Sequence, residues 1–339
     1  MIEARLWEPV ENGAISCRLC NHSCTIEPGQ RGQCGVRENR DGTLYSLNYD
    51  KVAAHHLDPI EKKPLYHFQP GTQTYSIATM GCNLRCTFCQ NWSLSQTPHE
   101  KGNIEGQKVT PTQLVDEAIR LGATSISYTY SEPTIFFELI QDTATLAKER
   151  GLKNVLVSNG FMSTECLDTL RPLIDAINVD LKCFNEDFYK EISCAHLKPV
   201  LANLKKIKHD LKWWLEITTL LIPGRNDSQE DIQKLTEFIA RELGTDTPWH
   251  ISRFHPDYKM VDSGVTPAEA LQETYAIGKA QGLKYVYVGN MPDLNRQNTF
   301  CPGCGTKLID RSGFSIKILG IENGHCSECG EAIQGIDMN

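Results

Sequence analysis

Residues 74–92 read TYSIATMGCNLRCTFCQNW, a β-rich run followed at once by three cysteines within eight residues. A disulfide uses two cysteines, and a structural zinc site uses four protein ligands. The spacing of Cys82, Cys86 and Cys89 is therefore typical of neither. Iron–sulfur clusters are held by thiolates, usually four. With three, a four-iron cluster keeps one iron free of protein ligands, and an exogenous molecule can bind at such an open position.

The composition indicates a soluble globular protein. The chain has 339 residues, of which 40% are hydrophobic, enough for a sizeable core. No stretch approaches the roughly eighteen uninterrupted apolar residues of a membrane span, and the start, MIEARLWEPVENG, lacks the apolar run of a signal peptide. We therefore expect a cytoplasmic protein without membrane partners. The net charge of −8 disfavours broad nucleic-acid binding, which depends on neutralising phosphates.

The fourteen cysteines are grouped along the chain. Disulfides are rare in a reducing compartment, so clustered cysteines there are typical of metal sites. Four lie in 17–34, three in 82–89 and four in 301–329. The remaining three are Cys166, which we expect to be a packing residue in a helix, and Cys183 and Cys194, which are candidates for a radical relay or a substrate contact.

From about residue 74 to 290, short β-rich runs alternate with helical patterns. Thr110 as N-cap before Pro111 predicts one helix, and Ser228 as N-cap with Gly244 as C-cap predicts another. The segment that starts at Thr266 repeats this design. The predicted strands are 74–79, 125–130, 154–159, 176–181, 214–221, 250–254 and 284–289.

Strands that alternate with helices imply βαβ units and a parallel sheet. Six or seven such units predict an α/β fold with a full or partial barrel, and a doubly wound open sheet is the alternative. In either architecture, functional side chains collect at the carboxyl ends of the strands.

The two ends of the chain differ from this core because both are rich in Gly and Cys. Segments this short bury little surface and need bound metal ions to stabilise them. We therefore predict three parts: a Cys-rich N-terminal metal-binding segment over 1–50, a core over 51–295 and a four-cysteine segment over 296–339.

The C-terminal segment carries two C-x2-C pairs, separated by 21 residues and each followed by glycine. This spacing predicts a closed four-thiolate zinc site like that of a zinc ribbon, with a rubredoxin-like iron as the alternative. The net charge of −1 over 296–339 disfavours a nucleic-acid-binding ribbon, so we favour a structural or partner-docking role. The predicted ligands are Cys301, Cys304, Cys326 and Cys329.

The N-terminal set has a tighter spacing, with three cysteines in C-x2-C-x3-C and a fourth ten residues later. Four thiolates can close a zinc site or hold a second 4Fe–4S cluster, and His22 is a possible alternate ligand. A second cluster would relay electrons, whereas a zinc ion would fold the segment. The residues are Cys17, Cys20, Cys24 and Cys34.

The motif formed by Cys82, Cys86 and Cys89, with Phe88 before the last cysteine, resembles the radical S-adenosylmethionine (SAM) superfamily. The longer stretch 58–96 resembles the group related to pyruvate formate-lyase activating enzymes and, more closely, the AmmeMemoRadiSam-system radical SAM enzymes. The resemblance covers essentially the whole chain. A zinc site completed by a distant residue such as His99 is the alternative.

The resemblance implies a partial (β/α)6 TIM-like barrel, a 4Fe–4S cluster on the three cysteines, and SAM bound at the open iron. One electron, from a donor such as flavodoxin or ferredoxin, would cleave SAM to a 5′-deoxyadenosyl radical, which abstracts hydrogen from a substrate. The cofactor carries this chemistry, while the protein orients it and shields the radical.

The resemblance also implies SAM contacts at later strand ends. Glu132 lies where relatives have a GGEP-like motif for the SAM amino group, although Tyr130 and Ser131 replace its glycines. A helix N-terminus capped by Ser131 is an alternative there. Asp180 and Lys182 match a DLK motif, and side chains two residues apart on a strand face the same way.

Further predicted contacts are less distinctive. Ser158 and Asn159 are expected to bond ribose hydroxyls or methionine polar atoms, with a simple turn as the alternative. His255 is expected near the SAM carboxylate. The segment 221–227 and the pair Gly289 and Asn290 are expected near adenine. The basic loop over 58–68 is expected at the site entrance, with Lys62, Lys63 and His67 as substrate candidates.

Several functions are compatible with this pattern. The leading hypothesis is a radical SAM enzyme acting on a metabolite, peptide or partner protein, with a glycyl-radical-enzyme activase as one form of it. The resemblance implies an association with Memo-type and AMMECR-type proteins. A non-enzymatic iron–sulfur electron carrier or redox sensor is an alternative, but carriers normally give every iron a protein ligand. A zinc-ribbon RNA-binding protein is opposed by the charge.

Overall fold

The computed structural model describes residues 1–291 and 295–339. Its centre is a sheet in which seven parallel strands follow one another in chain order. All seven predicted strands are present, which confirms the α/β prediction. Their bounds are Gln73–Thr79, Ser125–Tyr128, Lys153–Ser158, Ala176–Asp180, Trp214–Leu221, Trp249–Arg253 and Val286–Gly289.

The sheet has two further strands beyond the first parallel strand. Lys51–Pro59 pairs antiparallel with Gln73–Thr79, and the two-residue strand Gln107–Lys108 pairs with Lys51–Pro59. Among the described residues, no ladder joins Val286–Gly289 to this opposite edge. The barrel is therefore partial, as predicted, and it is one parallel strand longer than the six expected.

The helices lie between the parallel strands, and their ends follow local sequence signals. Thr110 caps Pro111–Arg120 with a complete capping box, and Ser228 caps Gln229–Phe238, as predicted. A π turn, Ile239–Leu243, extends the latter helix to Gly244. The other α-helices of the described residues are Trp92–Ser95, Thr97–Lys101, Phe137–Glu149, Thr164–Leu170, Glu186–Ser193, Leu197–Lys205, which a π turn over Lys206–Leu211 extends, and Ala268–Ala280.

The prediction that Thr266 caps the last of these helices is wrong. The N-cap of Ala268–Ala280 is Pro267, and no side chain caps it. The Thr266 hydroxyl instead donates to the Leu221 carbonyl at 2.6 Å and accepts from the Phe254 amide at 2.9 Å. These bonds tie the helix to the ends of two parallel strands.

The N-terminal segment consists of short antiparallel strands packed on the barrel. Ile2–Glu3, Thr43–Ser46 and Arg37–Arg40 form one small sheet, and Trp7–Pro9, Ile15–Cys17 and Thr25–Ile26 form another. Its buried apolar residues, such as Ile15 and Val36, belong to the same hydrophobic cluster as the barrel core. This segment is therefore stabilised by the barrel as well as by its own contacts.

The C-terminal segment has a small cluster of its own around Leu308 and Ile309. Arg311 joins it to the barrel, because this buried guanidinium stacks on the Tyr66 ring at 4.1 Å and donates to the Tyr66 carbonyl at 2.9 Å. The strands are Thr299–Phe300, Lys307–Ser312, Ser315–Ile318, Ile321–Glu322 and His325–Cys326. In the described part of the chain, no helix has the length and apolar character needed to cross a membrane.

Candidate active site

The three-cysteine loop begins directly after the first parallel strand and borders a cavity of about 570 Å³. Gly81 makes the turn into the loop with a φ of +114°, a conformation that favours glycine. A Cβ there would also lie 2.8 Å from Val36 Cγ1. The cavity is lined by all three cysteines, Cys82, Cys86 and Cys89.

Burial raises the pKa of each of these thiols, and that of Cys89 reaches about 11. A metal ligand must be a thiolate, so metal binding here has to displace protons. The sulfurs converge on one cavity at the carboxyl end of the sheet, which fits a metal cluster bound by three thiolates.

Neighbouring elements hold the loop in place. The amides of Arg85 and Thr87 donate to the carbonyls of Ser193 and Ile192, each at 3.0 Å. The ring of His99 lies 3.0 Å from the Cys82 carbonyl through Nε2 and 3.3 Å from the Arg85 guanidinium through Nδ1. These contacts occupy both ring nitrogens, which opposes His99 as a fourth metal ligand.

Glu132 lines the cavity as predicted, but its carboxylate already has several donors. One oxygen accepts from the Ser158 hydroxyl at 2.8 Å and from the Thr134 amide at 3.1 Å, and the other accepts from the Asn159 amide at 2.8 Å. Glu132 therefore caps the short 3-10 helix Pro133–Phe136, and the alternative with Ser131 as cap is wrong. Burial raises the pKa of Glu132 despite these donors.

Ser131, Ser158 and Asn159 also line the cavity and are bonded to the protein. The Ser131 hydroxyl donates to the Thr79 carbonyl at 2.7 Å, and the Asn159 side-chain amide donates to Asn83 Oδ1 at 2.7 Å. Asn159 thus ties the third parallel strand to the residue after Cys82. These bonds fix the shape of the wall on that side.

Asp180 and Lys182 line the cavity at the end of the neighbouring strand, with Lys182 Nζ 3.3 Å from Asp180 Oδ2. Burial by itself lowers the pKa of Lys182, but Asp180 and the Cys86 thiolate outweigh it and raise the pKa. The ammonium is therefore charged and lies beside the cysteine loop. It can also bind a carboxylate of a bound molecule.

Thr218 is a cavity residue that sequence reasoning missed. Its hydroxyl is buried and has no hydrogen-bond partner among the described residues. Buried polar groups are almost always paired, so a lone hydroxyl on a cavity wall fits a site that holds a polar ligand. Thr218 lies two positions from both Glu216 and Leu220, so the three side chains face the same side of their strand. This spacing was the sequence signal that could have identified Thr218.

His255 follows the sixth parallel strand but is exposed and is not among the residues that line the cavity. Its Nδ1 lies 2.7 Å from Nε2 of Gln90, which does line the cavity. On the predicted adenine side, Asn290 lines the cavity together with Leu220 and Ser252, whereas the segment 221–227 does not.

The loop over 58–68 packs against the parallel sheet, and its residues Lys62, Lys63 and Pro64 line the cavity. The Pro64 carbonyl accepts from Asn178 at 2.7 Å, and the Tyr66 amide donates to Glu216 at 3.0 Å. His67 is fully buried and bonded to Tyr287 at 2.6 Å, outside the cavity. This path of the chain brings Lys62 and Lys63 to the cavity wall.

Lys62 and Lys63 therefore line the cavity, together with Tyr130. Lys63 Nζ lies 2.6 Å from Asp58 and 4.6 Å from the centre of the Tyr130 ring. Burial lowers the pKa of Lys63 to about 8. Two lysines share the single carboxylate of Asp58, so this wall carries an excess of positive charge.

The two cysteine quartets lie outside this cavity. The C-terminal sulfurs, those of Cys301, Cys304, Cys326 and Cys329, all lie within 4.8 Å of one another. For the N-terminal set, burial is the main cause of a raised pKa at Cys20, Cys24 and Cys34, and the neighbouring Cys17 thiolate raises it further. Each quartet therefore brings its sulfurs towards one region.

The three isolated cysteines also lie away from the cavity lining. Cys166 is fully buried in the helix Thr164–Leu170, as expected for a packing residue, and Cys183 is buried as well. Cys194 is exposed and ends the helix Glu186–Ser193 with a φ of +53°.

The known proteins that this chain resembles agree with the geometry of the three-cysteine cavity. Residues 76–239 match the model of the radical SAM superfamily. An uncharacterized protein of Methanocaldococcus jannaschii, MJ0808, is 45% identical over 98% of this chain and 99% of its own length. The pyruvate formate-lyase-activating enzyme of Listeria monocytogenes is 27% identical over 50% of this chain and 70% of its own length.

A solved structure shares the fold. The radical SAM methyltransferase of Sphaerobacter thermophilus superposes with a TM-score of 0.52 at 18% identity, covering 66% of this chain and 67% of that chain. The family implies a 4Fe–4S cluster, SAM and a reductant, and the three thiolates and polar walls of the cavity fit such a ligand set. The chain belongs to the radical SAM superfamily.

Proposed function

We propose that Cys82, Cys86 and Cys89 hold a 4Fe–4S cluster and that the same cavity binds SAM for hydrogen abstraction from a substrate. The observation that carries this proposal is the convergence on one cavity of three thiolates, the Asp180–Lys182 pair and the Thr218 hydroxyl, which has no hydrogen-bond partner within residues 1–291 and 295–339. When bound, the cluster and SAM together supply a 5′-deoxyadenosyl radical by one-electron cleavage of SAM.

The surrounding residues bind and orient the ligand in this proposal. Lys182 offers a charged donor to the SAM carboxylate, and Asp180 holds that donor in place. Thr218 offers its hydroxyl, and Val157 and Leu220 offer apolar surface. Glu132 acts mainly through its neighbours, because it orients Ser158 and Asn159 on the wall. His255 would act at the rim through Gln90.

Replacing Thr218 by valine tests the binding part of this proposal. The change removes one hydroxyl that has no hydrogen-bond partner in the described part of the chain, so folding stability should be unaffected while a hydrogen bond to SAM is lost. A lost hydrogen bond costs about 0.5–1.5 kcal/mol, which predicts SAM binding weaker by roughly 2- to 12-fold. Anaerobic calorimetric titration of SAM into the reconstituted protein measures this dissociation constant.

Thr219→Val is the matched control on the same strand. The Thr219 hydroxyl donates to the Leu181 carbonyl at 2.9 Å and accepts from the Trp249 indole at 3.0 Å, and Thr219 does not line the cavity. This variant should lower the melting temperature and leave SAM affinity unchanged. Equal SAM affinity in Thr218→Val and the unmodified protein would refute the assigned role of Thr218.

The substrate could be a metabolite, a peptide or a partner protein, and the activase form is favoured by the relative named a pyruvate formate-lyase-activating enzyme. An activase would transfer the radical to a glycine of its partner, detectable as a glycyl radical by EPR. Association with Memo-type and AMMECR-type proteins stays a prediction from the resemblance. The electron-carrier alternative does not account for the open cavity beside three thiolates.

We propose that the C-terminal quartet binds zinc. Zinc thiolate bonds of about 2.3 Å in a tetrahedron put the sulfurs roughly 3.8 Å apart. The Cys301–Cys329 and Cys304–Cys326 sulfur pairs are 3.5 and 3.7 Å apart, close to that value. The same spacing also suits a single iron, so the metal has to be measured.

Replacing both Cys304 and Cys329 by alanine should remove one zinc ion per chain. The iron and sulfide contents should stay unchanged, because neither residue lines the cavity. Elemental analysis of the purified protein gives both numbers. A zinc content equal to that of the unmodified protein, or loss of one iron instead, would contradict the zinc assignment.

A further inference from the structure

We propose that the N-terminal quartet, Cys17, Cys20, Cys24 and Cys34, holds a second 4Fe–4S cluster that lies directly beside the three-cysteine loop. The sequence spacing alone was equally compatible with zinc. Three features favour a cluster: the spread of the four sulfurs, the buried guanidinium of Arg37 and the contacts between the two cysteine loops.

Backbone hydrogen bonds and close packing bring the four cysteines of the quartet near one another. The Cys17 amide donates to the Cys24 carbonyl at 2.9 Å, so Cys24, which directly precedes the strand Thr25–Ile26, lies beside Cys17 at the end of the paired strand Ile15–Cys17. The turn after Cys20 closes when the Ser23 amide donates to the Cys20 carbonyl at 3.1 Å. Gly32, two residues before Cys34, packs against the Cys24 sulfur, since a Cβ there would lie 3.7 Å from it.

No three sulfurs of this quartet lie within 4.8 Å of one another, whereas sulfurs around one tetrahedral zinc ion are roughly 3.8 Å apart. Across residues 1–291 and 295–339, the C-terminal quartet is the one group of three or more candidate ligands whose ligand atoms all lie within 4.8 Å of one another. The N-terminal quartet lies outside that limit, as do the three loop cysteines. In a 4Fe–4S cluster each thiolate binds a different iron, so the sulfurs are held further apart than around a single ion.

A buried cation accompanies the quartet. The Arg37 side chain is fully buried and donates to the Cys17 sulfur at 3.4 Å. Hydrogen bonds to cluster sulfurs and burial are among the features that set a cluster's reduction potential. His22, the alternate ligand considered from the sequence, lies 2.7 Å from the Asn83 carbonyl through Nε2 and packs on Phe161. Because Nε2 is occupied by this contact, it does not serve as a metal ligand at the quartet.

The quartet touches the three-cysteine loop on both sides of Cys82. A Cβ on Gly81 would lie 3.2 Å from the Cys34 carbonyl, so the backbones of these two residues are in contact. The His22 contact reaches Asn83, the residue after Cys82. The chemistry that a second cluster supplies is one-electron transfer, and this position suits it to pass an electron from a flavodoxin- or ferredoxin-type donor towards the loop. That role rests on the proposed function, whereas the cluster assignment does not.

The test uses the full-length chain with Cys82, Cys86 and Cys89 all replaced by alanine, purified without oxygen. This variant leaves the N-terminal quartet intact. We expect about four iron and four sulfide per chain, with an EPR signal after dithionite reduction. Adding Cys20→Ala and Cys24→Ala should remove that iron, and circular dichroism checks that the variant is folded. A triple variant with no iron and with two zinc ions per chain would overturn the proposal.

The unmodified chain gives a second readout that does not depend on variant folding. It should carry about eight iron per chain, and its reduced EPR spectrum should show spin coupling that the triple variant lacks. About four iron per chain in the unmodified protein, together with no iron in the triple variant, would overturn the proposal. Failure to cleave SAM would leave these metal counts unchanged, so the two proposals fail separately.

Discussion

Cys86→Ala is expected to abolish formation of 5′-deoxyadenosine by the reconstituted protein. Cys86 is buried in the cavity wall, and its sulfur is one of three that can hold the cluster there. Without it the cluster is lost or incomplete, so the reductive chemistry has no electron source at SAM. We expect the rate to fall by roughly 10³-fold or more, to the level without enzyme. Chromatography of the quenched reaction with dithionite and SAM measures the product.

Cys194→Ser serves as the matched control for this experiment. Cys194 is an exposed cysteine and does not line the cavity. This variant should keep its iron content and its rate of 5′-deoxyadenosine formation. Activity in Cys86→Ala comparable to that of Cys194→Ser would show that the three-cysteine loop does not hold the reactive cluster.

Arg37→Met is expected to cause the largest loss of stability. The Arg37 guanidinium and the Glu138 carboxylate form an ion pair in which both side chains are almost completely buried. Arg37 also donates to the Arg5 carbonyl at 2.9 Å, and Glu138 accepts from the Arg5 amide at 2.8 Å. Removing the cation leaves a buried carboxylate without its partner, which costs about 3–5 kcal/mol. Anaerobic chemical denaturation followed by circular dichroism measures the loss.

Two variants separate this effect from a general sensitivity to mutation. The double variant Arg37→Met with Glu138→Leu removes both charges and should recover most of the lost stability, because no unpaired charge stays buried. Arg120→Ala breaks the ion pair with Glu117 on an exposed helix face and should leave the denaturation midpoint unchanged. If Arg37→Met is as stable as Arg120→Ala, the pair does not anchor the N-terminal segment.

The parallel sheet and the cysteine loop could be predicted because their signals are local. Each strand is a short β-rich run between helix caps, and the loop motif follows the first strand directly in the sequence. The strand Lys51–Pro59 was missed because three of its nine residues are exposed in a row and its sequence, KVAAHHLDP, has no regular alternation. Its antiparallel pairing depends on a neighbour that the local pattern does not indicate.

The shape of the cavity wall depends on contacts between residues far apart in the chain, which a local pattern cannot reveal. The loop over 58–68 lines the cavity because Glu216, 150 positions away from Tyr66, binds its backbone. Glu132 was predicted at the site, but its cap and its bond to Ser158 appear only once two strand ends meet. For the same reason, the sequence predicted a strand at Thr218 but not the position of its side chain on the cavity wall.

The most direct test of the central claim is SAM cleavage by the unmodified chain. The protein would be reconstituted anaerobically with iron and sulfide, reduced with dithionite and given SAM, and 5′-deoxyadenosine and methionine would be quantified. The proposal predicts both products in equal amounts, with a rate that depends on the reductant. An intact cluster that yields no 5′-deoxyadenosine would contradict it.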